Sequence, residues 1–163
     1  MIIYFFRIIF LILLLQTLGC VSVSVPISKE TSKAEHIKFK APPAFNTMNA
    51  DWADHAWQNS TTRNTISFLS ECGSDPRIEA LLGDALATLD TVEKKEDSEL
   101  IYNQRRALRT LGYGTVDGVS VFIDVLVLKK DKCNFTIVHS GRKERRAETQ
   151  KHFDEFLQNF VVP

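Results

Sequence analysis

The chain has 163 residues, 44% of them hydrophobic and 25% charged, enough for one ordinary globular domain. Seven Gly and five Pro exclude a collagen-like or low-complexity chain, and three Cys are too few for a disulfide-built mini-protein. Twenty basic residues balance twenty acidic ones, so net charge gives no reason to expect a nucleic-acid partner.

Residues 1–19 read MIIYFFRIIFLILLLQTLG and lead into Cys20. The unbroken apolar run Ile8 to Leu15 suits the core of a signal peptide. As a helix it spans ~12 Å, well short of a ~30 Å hydrocarbon layer. Thr17-Leu18-Gly19-Cys20 resembles the bacterial lipobox, in which a small residue precedes a Cys that is diacylated and becomes the mature N-terminus. Gly19 and Cys20 match; Thr17 and Leu18 stand in the reverse of the usual order. The resemblance implies a lipoprotein signal peptide over 1–19 and a lipidated Cys20 that opens a flexible polar tether over 20–35. It places the domain in a bacterial cell envelope, held to a membrane through acylated Cys20 and facing the periplasm or exterior. An uncleaved signal anchor and an ordinary secretory signal are the alternatives, and each also puts the domain outside the cytoplasm.

A single domain is predicted over 36–163. His36 to Lys40 alternates Ile37 and Phe39 with polar neighbours, a short strand stopped by Pro42-Pro43. Phe45 to Asp54 shows no clear period. Ala56 to Asn59 and Thr65 to Glu71 flank a polar loop, a hairpin with Ile66 and Phe68 on one face. Asp75-Pro76 is predicted to cap and open a helix carrying Ile78, Leu81, Leu82, Ala85, Leu89 and Val92 at helical spacing. Glu93 to Asp97 reads as a solvated loop, and a strand is favoured from about Arg105 to Tyr113. Val119 to Leu128 is the clearest strand, apolar on both faces except at Ser120 and Asp124, as expected of a strand covered twice. Lys129 to Lys132 is a turn, Cys133 to His139 a returning strand, and Arg142 to Phe160 a helix with Phe153, Phe156, Leu157 and Phe160 on one stripe. Short turns between successive strands make the sheet mainly antiparallel, and one helix before and one after the meander can cover both faces. The fold class is therefore α/β of the α+β type.

This order resembles the PsbP-like superfamily over roughly His36 to Val162. The resemblance is carried by Ile37-Lys-Phe-Lys-Ala-Pro-Pro, the Ala56-Trp57 to Ser70-Glu71-Cys72 hairpin, Gly118 to Cys133-Asn-Phe-Thr-Ile-Val, and the closing Phe153 to Phe160 helix. It implies an α/β/α sandwich and a binding or scaffold module, without naming a ligand.

Candidate chemistry is sparse. His36, His55, His139 and His152 form no zinc-type spacing, and no catalytic, cofactor or metal residue is assigned. Asp51, Asp54 and His55 lie close in sequence and read as a polar segment beside Trp52 and Trp57. Those two Trp could line a ligand pocket or sit half-buried at a sheet end. Gly112, Gly114 and Gly118 read as turn or bulge positions. With Cys20 acylated, Cys72 and Cys133 remain as an even pair for a disulfide or as two buried thiols. Glu71 to Glu99 holds nine acidic and three basic residues, and Lys129 to Lys151 eight basic and three acidic. A seven-residue strand splits the basic set into two groups ~23 Å apart, so one membrane-binding patch is not expected.

The leading functional expectation is a membrane-tethered, non-enzymatic envelope lipoprotein, an accessory binding or assembly module with an envelope protein as a possible partner. The alternatives are a small envelope hydrolase built from dispersed residues and an uncleaved single-anchor structural protein.

Overall fold

The computed structural model describes residues 31–162. The predicted signal peptide, Cys20 and the first part of the predicted tether lie outside them. Seven strands form one antiparallel sheet: β1 Phe45–Met48, β2 His55–Asn59, β3 Thr65–Cys72, β4 Thr91–Tyr102, β5 Arg105–Val116, β6 Val119–Lys130 and β7 Cys133–Arg142. Two helices accompany them, α1 Ile78–Leu86 and α2 Arg146–Asn159, the second preceded by a 3-10 turn at Lys143–Arg145. The strand order β1-β2-β3-β7-β6-β5-β4 joins two meanders. The chain runs β1 to β3, crosses through α1 to the far edge, and returns strand by strand until β7 pairs with β3.

The returning meander is built on tight loops. Asn103-Gln104, Asp117-Gly118 and Asp131-Lys132 each have positive φ at both residues, the pattern of a type I′ turn. Such turns match the right-handed twist of the strands they join. At the end of β3, Cys72 pairs with Cys133, their Cα atoms 4.0 Å apart, and a disulfide joins them.

Strand alternation sends one set of side chains to each face. Ile66 and Phe68 of β3, Leu126 and Leu128 of β6, and Phe135 and Ile137 of β7 pack with Phe153 and Phe156 of α2 and with Phe160 just past its end. Ile123, Val125 and Val127 of β6 pack on the other face with Ile78 and Leu82 of α1. The two-sided apolar character of β6 is explained by this double cover.

Several elements differ from the sequence reading. Residues 37–39 form no strand: Lys38 makes a single bridge to Val161, while Ile37 and Phe39 pack on the α2-side core. β1 is additional, and its pairing with β2 supplies the order that its side-chain pattern lacks. Helix α1 begins at Ile78 with Arg77 at its N-cap, and the Asp75 carboxylate receives the Lys129 ammonium instead of capping the helix. It ends at Leu86, well before Val92. The charged run 93–97, predicted as a loop, is the middle of β4. That strand is an edge of the sheet, where charged side chains are tolerated and discourage further strand addition. Gly118 does lie in a turn. Gly112 and Gly114 are instead inside β5, where they let the end of α1 approach the sheet. A Cβ on Gly114 would stand 1.9 Å from the Thr91 carbonyl oxygen, opposite a bulge in β4.

The last residues of the predicted tether are part of the domain. β2 pairs with β3 only as far as Phe68, which leaves the outer edge of β3 open beyond it. Residues 32–34 take that edge: Ser32 and Cys72 exchange two backbone hydrogen bonds of 3.3 and 2.7 Å, and Ala34 N donates to Ser70 Oγ at 2.9 Å.

Candidate functional site

The two faces of the sheet are covered unequally. Helix α2 has 14 residues and α1 has nine, ~21 and ~14 Å of axis. A seven-stranded sheet is ~30 Å wide, and one helix covers ~10 Å of that. Helix α1 sits over β5, β6 and the near side of β7. The same face of β3 and the outer part of β7 stay open. An apolar groove of ≈ 680 Å³ runs there, alongside α1. That volume is within the ~300–1,000 Å³ range of small-molecule sites.

Each wall follows from strand or helix periodicity. Helix α1 presents Leu81, Ala85 and, just past its end, Leu89. Val121 and Ile123 of β6 and Val138 of β7 form the apolar floor, and Thr65, Ser67, Thr136 and Ser140 interleave hydroxyls. Arg63 stands at the end where β3 begins, and Glu71 at the end where it finishes. Trp52, 59% exposed, and Leu69, 41% exposed, also line the groove. The arrangement offers an aliphatic trough with a few hydroxyl groups, Asp84 on its α1 wall, and Arg63 and Glu71 at its ends. Its apolar length suits holding an elongated apolar molecule.

The two Trp do not form one wall. Trp57 is 3% exposed and belongs to the α2-side core, stacked with His55 and packed on Phe156. Only Trp52 reaches the groove.

Asp54 lies beside a serine. Its Oδ2 accepts hydrogen bonds from Ser70 N at 2.8 Å and Ser70 Oγ at 2.5 Å, and its Oδ1 pairs with Lys33 at 3.0 Å. Ser70 is buried and its oxygen holds Ala34 N, so this cluster fastens residues 33 and 34 to the sheet. The His55 ring is engaged with Phe39, Trp57 and Phe68. Among the described residues no group of three or more His, Cys, Asp or Glu side chains could hold a metal ion.

A second polar cluster lies under α2. Asp124, 1% exposed, receives Arg109 through two bonds of 2.8 Å, and Arg146 stands 3.9 Å away. Arg109 also reaches Asp154 at 3.2 Å. These pairs tie β5 and β6 to α2. The hydrogen bonds Arg109 donates to Asp124, with that carboxylate's charge, raise the Arg109 pKa above its ordinary value. Next to them His139 is fully buried; its Nε2 is 2.9 Å from Thr149 Oγ1, which also accepts from Asn64 Nδ2 at 2.7 Å. Burial, assisted by the Arg146 charge, pushes the imidazole down to about 3, so it stays neutral at ordinary pH. The basic residues flanking β7 lie at opposite ends of that strand and are engaged locally: Lys129 with Asp75, Lys143 with Glu93, Arg145 with Glu148.

Sequence reasoning missed the groove. Its signal is present in β3 and β7, whose α1-side positions alternate Thr, Ser, Leu and Val, neither charged enough for a solvated face nor apolar enough for a core.

Comparison with solved structures shows that this antiparallel sheet with one helix on each face is a PsbP-like fold. The cyanobacterial PsbP of Synechocystis sp. PCC 6803 superposes with a TM-score of 0.57 at 13% identity, over 86% of this chain and 96% of that one. LpqN, involved in cell envelope biogenesis of Mycobacterium tuberculosis, superposes with a TM-score of 0.58 at 11% identity, over 82% and 91%. No family model matches the chain, and no curated protein matches it by sequence.

Proposed function

We propose that this protein is a membrane-tethered envelope module that holds an apolar molecule in the groove beside α1, without chemistry of its own. The groove itself carries this reading: a trough of ≈ 680 Å³ kept open because α1 is too short and narrow to cover β3 and β7. The apolar leader ending in Gly19-Cys20 supports an envelope location and a lipid anchor. The shared fold with a protein of mycobacterial envelope biogenesis is in keeping with that location.

The binding half is tested by filling the groove. Ala85 lines it on α1 and is partly exposed. Ala85→Trp is expected to weaken binding of a fluorescent apolar probe by tenfold or more, equivalent to ~1.4 kcal/mol, with the melting temperature nearly unchanged. Equal probe affinity in the two proteins would refute the groove as the site.

The anchoring half is tested at Cys20. Two acyl chains bury many CH₂ groups at ~0.8 kcal/mol each, far more than the polar segment 21–35 could supply. Cys20→Ala is expected to leave the membrane fraction or to accumulate unprocessed. Normal processing with full membrane retention would show that another segment anchors the chain.

A further inference from the structure

We infer that the Trp52 end of the groove rests on the lipid surface to which the chain is tethered, so that the groove opens toward the bilayer. This rests on the lipid-anchor reading of Cys20. The observation behind it is where the chain joins the domain. Ser32 to Ala34 are fastened to the outer edge of β3 at Cys72 and Ser70, and Lys33 pairs with Asp54. From Cys20 to Ser32 the chain reaches ~40 Å at most, at ~3.4 Å per residue. The disulfide end of the sheet therefore stays within that distance of the membrane.

The same end carries the exposed apolar side chains of the groove. Trp52 lies two residues before Asp54, the partner of Lys33. Leu69 lies three residues before Cys72, the partner of Ser32. Trp52 and Leu69 are 59% and 41% exposed, and both line the groove. Tryptophan favours the membrane interface, with an apolar ring and a polar N–H that can stay hydrated. A solvent-facing mouth gains nothing from two such residues, whereas a mouth seated at the headgroup level lets an apolar molecule pass from lipid to groove without crossing water.

The test uses the full lipidated protein in phosphatidylcholine vesicles, with and without bromine on the acyl chains. Bromine quenches only indoles that reach the lipid. The difference between the parent and Trp52→Phe isolates Trp52 emission, since the chain has two Trp and the other, Trp57, is 3% exposed. Most of the Trp52 emission is expected to be lost in brominated vesicles, with Trp57 emission unchanged, and Leu69→Lys is expected to restore much of it. Protein that cosediments with vesicles but shows equal Trp52 emission in both would overturn the orientation while leaving the anchor intact. A concentration-dependent blue shift of Trp52 without bromine quenching would also overturn it, by assigning this face to a second copy. Failure to cosediment would remove the anchor reading and this inference with it.

Discussion

Asp124→Ala is expected to destabilise the domain by about 3–5 kcal/mol, because it strands arginines against a carboxylate site that is taken out of water. Asp124 is the most buried carboxylate described, and Arg109 meets it through two bonds of 2.8 Å. The low end of that range is favoured, since the Arg109 and Arg146 side chains keep 28% and 27% exposure and can recover some solvation. Urea denaturation measures the effect. The double variant Asp124→Leu with Arg109→Leu should recover part of the loss, because the closest pair is removed together while Arg146 and Asp154 remain. An alanine variant as stable as the parent would mean that the network is not coupled to the fold.

Phe156→Ala is the second large effect, about 3–5 kcal/mol, the usual result of deleting a buried aromatic side chain. Phe156 is 2% exposed, with its ring 5.5 Å from that of Trp57 and 5.6 Å from that of Phe160. The control lies on the outer face of the same helix. Lys151 is 85% exposed and makes only a 3.8 Å contact with Glu155, so Lys151→Ala should stay within ~0.5 kcal/mol of the parent. Equal melting temperatures for the two variants would contradict the packing of α2.

The contrast between these residues shows what the sequence discloses. Phe156 is legible at once, because Phe153, Phe156, Leu157 and Phe160 recur at helical spacing. The β2–β3 and β6–β7 hairpins are legible for the same kind of reason, a period of two broken by polar loops. β4 is not. Glu93 to Asp97 looks like a loop because an edge strand with both faces wet has no buried side to betray its period. β1 and the docked Ser32–Ala34 segment are hidden differently: their order comes from backbone pairing with β2 and β3, to which side-chain pattern contributes little. Asp124 stands out as one acid in an apolar strand, yet its partners come from β5 and from α2, and only the register places them. The groove is the hardest feature to foresee. It exists because α1 is short and lies over β5 and β6, where Gly112 leaves room for Leu86.

Native mass spectrometry of protein purified gently from membranes tests most directly whether the groove holds an apolar molecule. The predicted result is one apolar adduct per chain in the parent, lost when Ala85→Trp fills the trough. A parent without any adduct, together with apolar-probe affinity that Ala85→Trp leaves unchanged, would contradict it.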